Sequence, residues 1–405
     1  MRQHNLLDLP RSDGEWRRSG VIAVLAAIMA TFMIALLAFS IDVGYLCMAR
    51  SQAQHCADAA ALAAALEMTS NDNLKNDIQY RITAATQKAI ECAAMQDIAM
   101  TVQRQSGDGA GSVIDEVLFG RLENPDNSNE AISFADPNNP NVVYVRVSCD
   151  PAKGTAVPLF FARIFGMETG VVSATAVAAF SWDRTAGFIA EPEKPNTLMP
   201  FAISEEDWNN YVATGTEDNW TYDPRTKTVT AGPDGIPELK LFPDYELGQK
   251  TVPGNFGTVD IGSDANSTAR LIRQILYGPT PEDLVPFGDA LMIDSVTGTV
   301  ELVGVTSLDF GGDTGISAGM KSALEQIIGD PKTIMIYNNV EGPGNNAVFT
   351  IVKFVGVRVL DHDLTTAAKK KQITIQPAIV LDNSTVDVSD SDSSVYVGKP
   401  IRLVR

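Results

Sequence analysis

Between Arg18 and Asp42 the chain carries no charge: residues 19–41 read SGVIAVLAAIMATFMIALLAFSI. At ~1.5 Å per residue, a helix of this length crosses a ~30 Å hydrocarbon layer with some tilt. Buried helices of soluble proteins rarely stay uncharged for so long, so the pattern predicts a membrane span. Beyond it the pattern changes. Alanine recurs at 49, 53, 57, 61 and 65, an i, i+4 row that forms a smooth ridge and lets another backbone approach closely. That neighbour is either a helix of the same chain or a second subunit meeting it through the Ala-rich helix. No proline occurs from Arg11 to Asn124. One helix can therefore run from about Ser19 to Met68, ~75 Å, with Gly44 as its weak point.

SNDN at 70–73 supplies capping residues, and Leu74, Ile78, Ile82, Ala85, Ala89 and Ala93 then recur at helical spacing. They predict a second helix returning along the first. Strand patterns follow at 98–103, 113–122 and 142–149. A short helix is expected at PLFFARIFG, and a long apolar strand at VVSATAVAAFSW. Residues 42–183 thus read as an α+β module and 184–197, with two prolines and mixed charge, as a linker. Residues 198–405 read as a β-rich second module. Its strands are TVDIG, ALMID, TVELVGV, TIMIYNNV, AVFTIVKFVGVRVL and QITIQPAIVL, with helices at 267–278 and 320–329. The polar stretch 382–395 reads as a loop.

Charge fixes an orientation. Four arginines face three acids before Ser19, although the whole chain has a net charge of -19. Arg17 and Arg18 abut the span and Asp42 follows it, so the positive-inside rule puts residues 1–18 in the cytoplasm and residues 42 onward outside. An acidic chain without clustered Lys and Arg is not a nucleic-acid binder. A cleavable signal peptide ending near Ala38-Phe39-Ser40 is the alternative, and would release a secreted binding or adhesion protein. The apolar run is longer than the h-region of such signals, which favours a retained anchor.

All four cysteines, Cys47, Cys56, Cys92 and Cys149, lie beyond the span. In an oxidising compartment they permit disulfides of unassigned pairing, and buried thiols are the equal alternative. Cys47 and Cys56 cannot pair, being ~13 Å apart on opposite sides of one helix. The spacings do not match a zinc site, and no cofactor or metal is expected.

Arg17, Arg18, Asp42-Val43-Gly44, Arg50, Gln54 and Ala57-Asp58-Ala59-Ala60-Ala61-Leu62-Ala63 together resemble the N-terminal signature of TadG-like proteins of Flp (tight adherence) pilus assembly. In that family an Asp-Val-Gly turn follows the apolar helix. PLFFARIFGMETGVVSATAVAAF, 158–180, resembles the close of such modules, and MPFAI and PGNFGTVDIG resemble the family's downstream ectodomain. The resemblance implies a pilin-like long helix, with Asp42, Gly44, Ala57, Asp58 and Ala61 as motif or packing residues. It also implies a single-pass protein of the bacterial inner membrane, without enzymatic activity, whose partners are the lipid bilayer and pilus-assembly or envelope proteins. Pilin precursors carry glutamate five residues after the processed glycine. Here Leu25 occupies that place after Gly20, so no such processing is expected.

Two motifs point elsewhere. Gly315-Ile316-Ser317-Ala318-Gly319 satisfies the G-x-S-x-G nucleophile elbow, and Asp330 and His362 follow in triad order. LDFGGDT is a poor buried strand to precede it, and the region lacks alternating parallel strands and helices. A serine hydrolase using Ser317 is therefore the lesser reading. Asp387-Val388-Ser389-Asp390-Ser391 matches the metal motif of von Willebrand type A domains, but too little chain follows for that fold. Weak calcium binding by Asp382, Asp387, Asp390 and Asp392 is the lesser alternative, since the EF-hand spacing with its twelfth-position glutamate is absent. His362, between Asp361 and Asp363, is expected in a solvated turn.

Overall fold

The structure, a computed structural model, describes residues 14–70, 77–96, 98, 113–124, 127, 129–136, 138–180, 184–241, 256–262, 267–285, 291–292, 308–313, 317–342, 347–364, 371–388 and 396–404. The fold is mixed α+β, a long N-terminal apolar helix followed by a helix and strand region and then a strand-rich part. The chain forms two compact units. One comprises residues 1–59, 90–116 and 145–175, the other 60–89, 117–144 and 176–405.

Helix α1 is Gly14–Met68, 55 residues without a break. The turn implied at Asp42-Val43-Gly44 is absent, since all three residues lie inside the helix. A lone glycine costs a helix only ~1 kcal/mol, too little to stop one with no proline and abundant alanine. Helix α2 is Ile78–Ala94. Its cap is Asp77, whose carboxylate accepts the Tyr80 N–H at 2.8 Å; residues 71–76, with most of the expected SNDN cap, lie outside the described residues. In the first unit the Cys56 thiol reaches the Ala93 carbonyl. In the second the Arg81 guanidinium donates to the Met68 carbonyl. Those two contacts set α2 antiparallel to α1, the predicted return.

The four-stranded sheet orders Ile114–Gly120, Val142–Cys149, Val172–Ala179 and Arg402–Leu403. Its last strand comes from the far end of the sequence, pairing Arg402 with Ala179 and Leu403 with Ala178. Leu122, Val142, Val177 and Ala179 form a buried cluster there, joined by Val404. The strand expected at 98–103 falls, beyond Ile98, outside the described residues.

The second unit also holds a seven-stranded sheet. Five of its strands close a ring: Leu198–Ser204, Phe256–Val259, Leu308–Asp313, Ala347–Asp363 and Pro331–Glu341, which pairs in parallel with Leu198–Ser204. Alternate residues enter different clusters. Phe201, Ile203, Ile334 and Ile336 pack with Trp208 and Tyr211 of α3 (Glu205–Thr214) and Leu271 and Ile275 of α4 (Thr268–Tyr277). Leu198, Ala202, Met335 and Tyr337 pack with Phe349 and Phe354. Burial of both faces explains why these strands read as continuous apolar runs. Phe349 lies so close over Gly257 that a Cβ there would stand 2.2 Å from its ring.

Several expectations change here. Arg184–Phe188, inside the stretch read as a linker, is a strand between Leu291–Met292 and Thr385–Val388. His362 is not in a turn, because the strand Ala347–Asp363 runs through it with Ile373 opposite. The expected strand TVELVGV lies outside the described residues.

Candidate functional site

The residues of the N-terminal motif lie along α1, and several of them make contacts with other parts of the chain. Ala49, Ala53, Ala57, Ala61 and Ala65 are all buried, as are Ala85, Ala89 and Ala93 of α2. Small side chains at both sets of positions let helices approach closely without leaving voids. Between the ridge and the solvent, the Gln54 amide donates to the Asp58 carboxylate at 2.8 Å and to the Thr175 carbonyl at 2.9 Å. Asp58 thus aims an amide that ties α1 to the strand Val172–Ala179.

Asp42 does more than end the uncharged run. Its side chain is buried. One carboxylate oxygen accepts the Phe160 N–H at 2.9 Å, and the other accepts those of Phe161 at 3.0 Å and Ala162 at 2.7 Å. These are N–H groups at the start of a 3-10 helix, Ala162–Phe165, whose own preceding residue supplies no side-chain cap. A carboxylate from α1 therefore takes the place of the local cap. Burial alone would raise the Asp42 carboxyl, but the N–H groups of Phe160, Ala162 and Phe161, with the charge of Arg163, outweigh it and hold the carboxyl below its ordinary value.

The loop so held is closed at its neck by Val157–Pro158 paired with Thr169–Gly170, and by Leu159 N–H to the Glu168 carbonyl. Gly166, at φ 80°, ends the 3-10 helix in the left-handed conformation that suits glycine. Tyr45 packs edge-on against Phe160 with ring centroids 5.2 Å apart. Leu46 lies against Gly170, where a Cβ would meet its side chain at 2.6 Å.

The other sequence candidates fall as follows. Gly44 faces open space, with no atom of another element among the described residues within 4 Å of a Cβ placed there. Arg17 and Arg18 lie within α1. The four cysteines carry free thiols, Cys47 exposed, Cys56 and Cys149 buried, and Cys92 half-buried. Burial pushes the Cys56 thiol up to about 12, with the neighbouring Cys92 and Cys149 adding to the rise. Ser317 caps the 3-10 helix Ala318–Met320 through Gly319 N–H. Both ring nitrogens of His362 are buried without a hydrogen-bond partner among the described residues, so no hydrogen bond joins it to Ser317. Asp382 spends both oxygens on Thr197 and Ser384. Asp390 and Asp392 lie outside the described residues.

The carboxylate cap was not read from the sequence. The signal for it was present, as an acid one residue past a membrane span and a second motif 116 residues later that has no cap of its own.

Residues 20–67 match the family described as putative Flp pilus-assembly TadE/G-like, and residues 49–178 the family described as putative Tad-like Flp pilus-assembly. Neither the curated proteins nor the solved structures include a match to the chain. Among the described residues, α1 contains the one helix long and apolar enough to cross a membrane, and the apolar part of it is not buried by the rest of the chain.

Proposed function

Because residues 20–178 belong to the TadG-like Flp pilus-assembly family, we propose that the protein is a membrane-anchored, non-enzymatic scaffold for assembling or anchoring the Flp pilus. The observation that carries this reading is that the match begins inside the apolar span. The segment able to cross a bilayer lies almost wholly within the first of the two family matches, residues 20–67. In this reading residues 19–41 anchor the chain in the bacterial inner membrane, Arg17 and Arg18 hold the N-terminus in the cytoplasm, and residues 42 onward face outward to meet pilus or envelope proteins.

Burial of the alanine ridge within the chain supports its use in intramolecular packing over self-association. The unbroken passage of α1 through Ala38-Phe39-Ser40 supports retention of the anchor. Cleavage there would also leave Asp42 beside a new terminus. The test joins two measurements in cells that make the pilus. The chain is expected to resist alkaline extraction from membranes, and its deletion to abolish surface pili. A soluble chain, or full piliation without it, would sink the proposal.

A further inference from the structure

Along α1 the loop's contacts descend in order. Gly170, at the neck, meets Leu46; Phe160 meets Tyr45; the N–H groups of 160–162 meet Asp42. From Leu46 to Asp42 is ~6 Å toward the span. The loop's contacts thus step toward the span from its neck to residues 160–162, a direction that carries the tip, residues 163–167, toward the membrane in the anchor reading. Ala38, one turn below Asp42 on the same helix face, is partly covered, whereas the rest of residues 21–41 are exposed.

The tip is apolar outward. Ile164 is 80% exposed, Phe165 78% and Met167 56%, and Phe160 and Phe161 are exposed beside them. Water-facing placement of five large apolar side chains on one short loop is costly, and an apolar patch of this kind marks a contact surface. Its only charged members between Pro158 and Gly170 are Arg163 and Glu168; an arginine stem can lie along acyl chains with its head at the phosphates.

We propose that the loop 159–168 is a second membrane element, a wedge whose Ile164, Phe165 and Met167 enter the lipid interface beside the span while Asp42 pins it to α1. The occupant is lipid because the patch is continuous with the helix surface already assigned to the bilayer and sits at its boundary. The inference rests on the anchor reading. Two points of contact, span and wedge, stop α1 from rotating freely about its own axis.

The test uses full-length protein in phosphatidylethanolamine–phosphatidylglycerol vesicles, with lipids brominated near the headgroup or near the bilayer centre. Phe165→Trp adds an emission that is read against the unsubstituted protein. Met95→Trp, exposed two residues past Ala93, which meets Cys56 ~21 Å outward from Asp42 along α1, is the control. Loss of the added Phe165→Trp emission, strongest with shallow bromines, and none for Met95→Trp, is expected. Asp42→Ala should weaken that quenching by freeing the loop. If the chain floats with vesicles but Phe165→Trp is unquenched, the wedge is wrong and the anchor stands. A chain that does not float overturns both.

Discussion

The Asp42 carboxylate accepts the Ala162 N–H at 2.7 Å across 120 residues of chain. Since that carboxyl is held below its ordinary value, the contact is fully present above the unfolded pKa, ~3.9, and is lost as pH falls through the lower folded value. Amide protection of residues 160–162, expressed as protection factors to remove the intrinsic pH dependence, should be flat from pH 7 to 5 and collapse only in stronger acid. Asp42→Asn should lower it between pH 7 and 5 and remove the acid collapse, and Asp42→Ala should lower it further and speed tryptic cleavage after Arg163.

Gln54 and Asp58 should behave as a coupled pair. Removing the Gln54 amide forfeits its bond to Thr175 and costs about 1 kcal/mol. Asp58→Ala costs less, because it only loosens the aim of the amide. In a double-mutant cycle by denaturant unfolding in detergent, a coupling of about 0.5 kcal/mol or more is expected. Strict additivity would show that Asp58 does not orient Gln54.

The ridge tolerates no larger side chain. Ala57→Leu or Ala61→Leu forces four-carbon side chains into places where the alanines are fully buried and should destabilise by about 1–3 kcal/mol or more. His55→Leu, on the exposed face of the same helix, should change stability little. Thermal unfolding of the three proteins side by side decides it.

Gly257→Ala drives a methyl into the Phe349 ring and should cost about 2 kcal/mol or more. Adding Phe349→Leu should recover part of the loss even though the leucine alone is destabilising. Failure of that rescue would mean that the glycine is required for its backbone and not for the ring above it.

Timed alkylation read by mass spectrometry should modify exposed Cys47 first and Cys56 last. With its thiol raised to about 12, Cys56 presents almost no thiolate at pH 8 and reacts only when α1 and α2 open.

The long helix was legible because nothing in its sequence opposes it: an uncharged run, then alanine, with no proline. The returning α2 and the strand Val142–Cys149 were legible for similar local reasons. What escaped were relations set by distant residues. Leu198–Ser204 is buried on both faces and shows neither period, with Pro200 obscuring it further. Arg184–Phe188 looked like linker beside two prolines, and its strand character comes from Thr385–Val388 opposite. In the site, the alanine ridge announced itself by spacing, whereas Asp42 read as a boundary charge because its three N–H partners are specified more than a hundred residues later.

The strand Arg402–Leu403 reaches the edge at Ala178–Ala179 only after about 220 further residues have been made, a separation that slows closure of the pair. A chain emerging N-terminus first therefore holds that edge unpaired throughout synthesis of everything between. The pairing waits until Arg402–Leu403 has been made, and a bulky insertion beside that strand would impair completion of an early sheet while leaving the late one untouched.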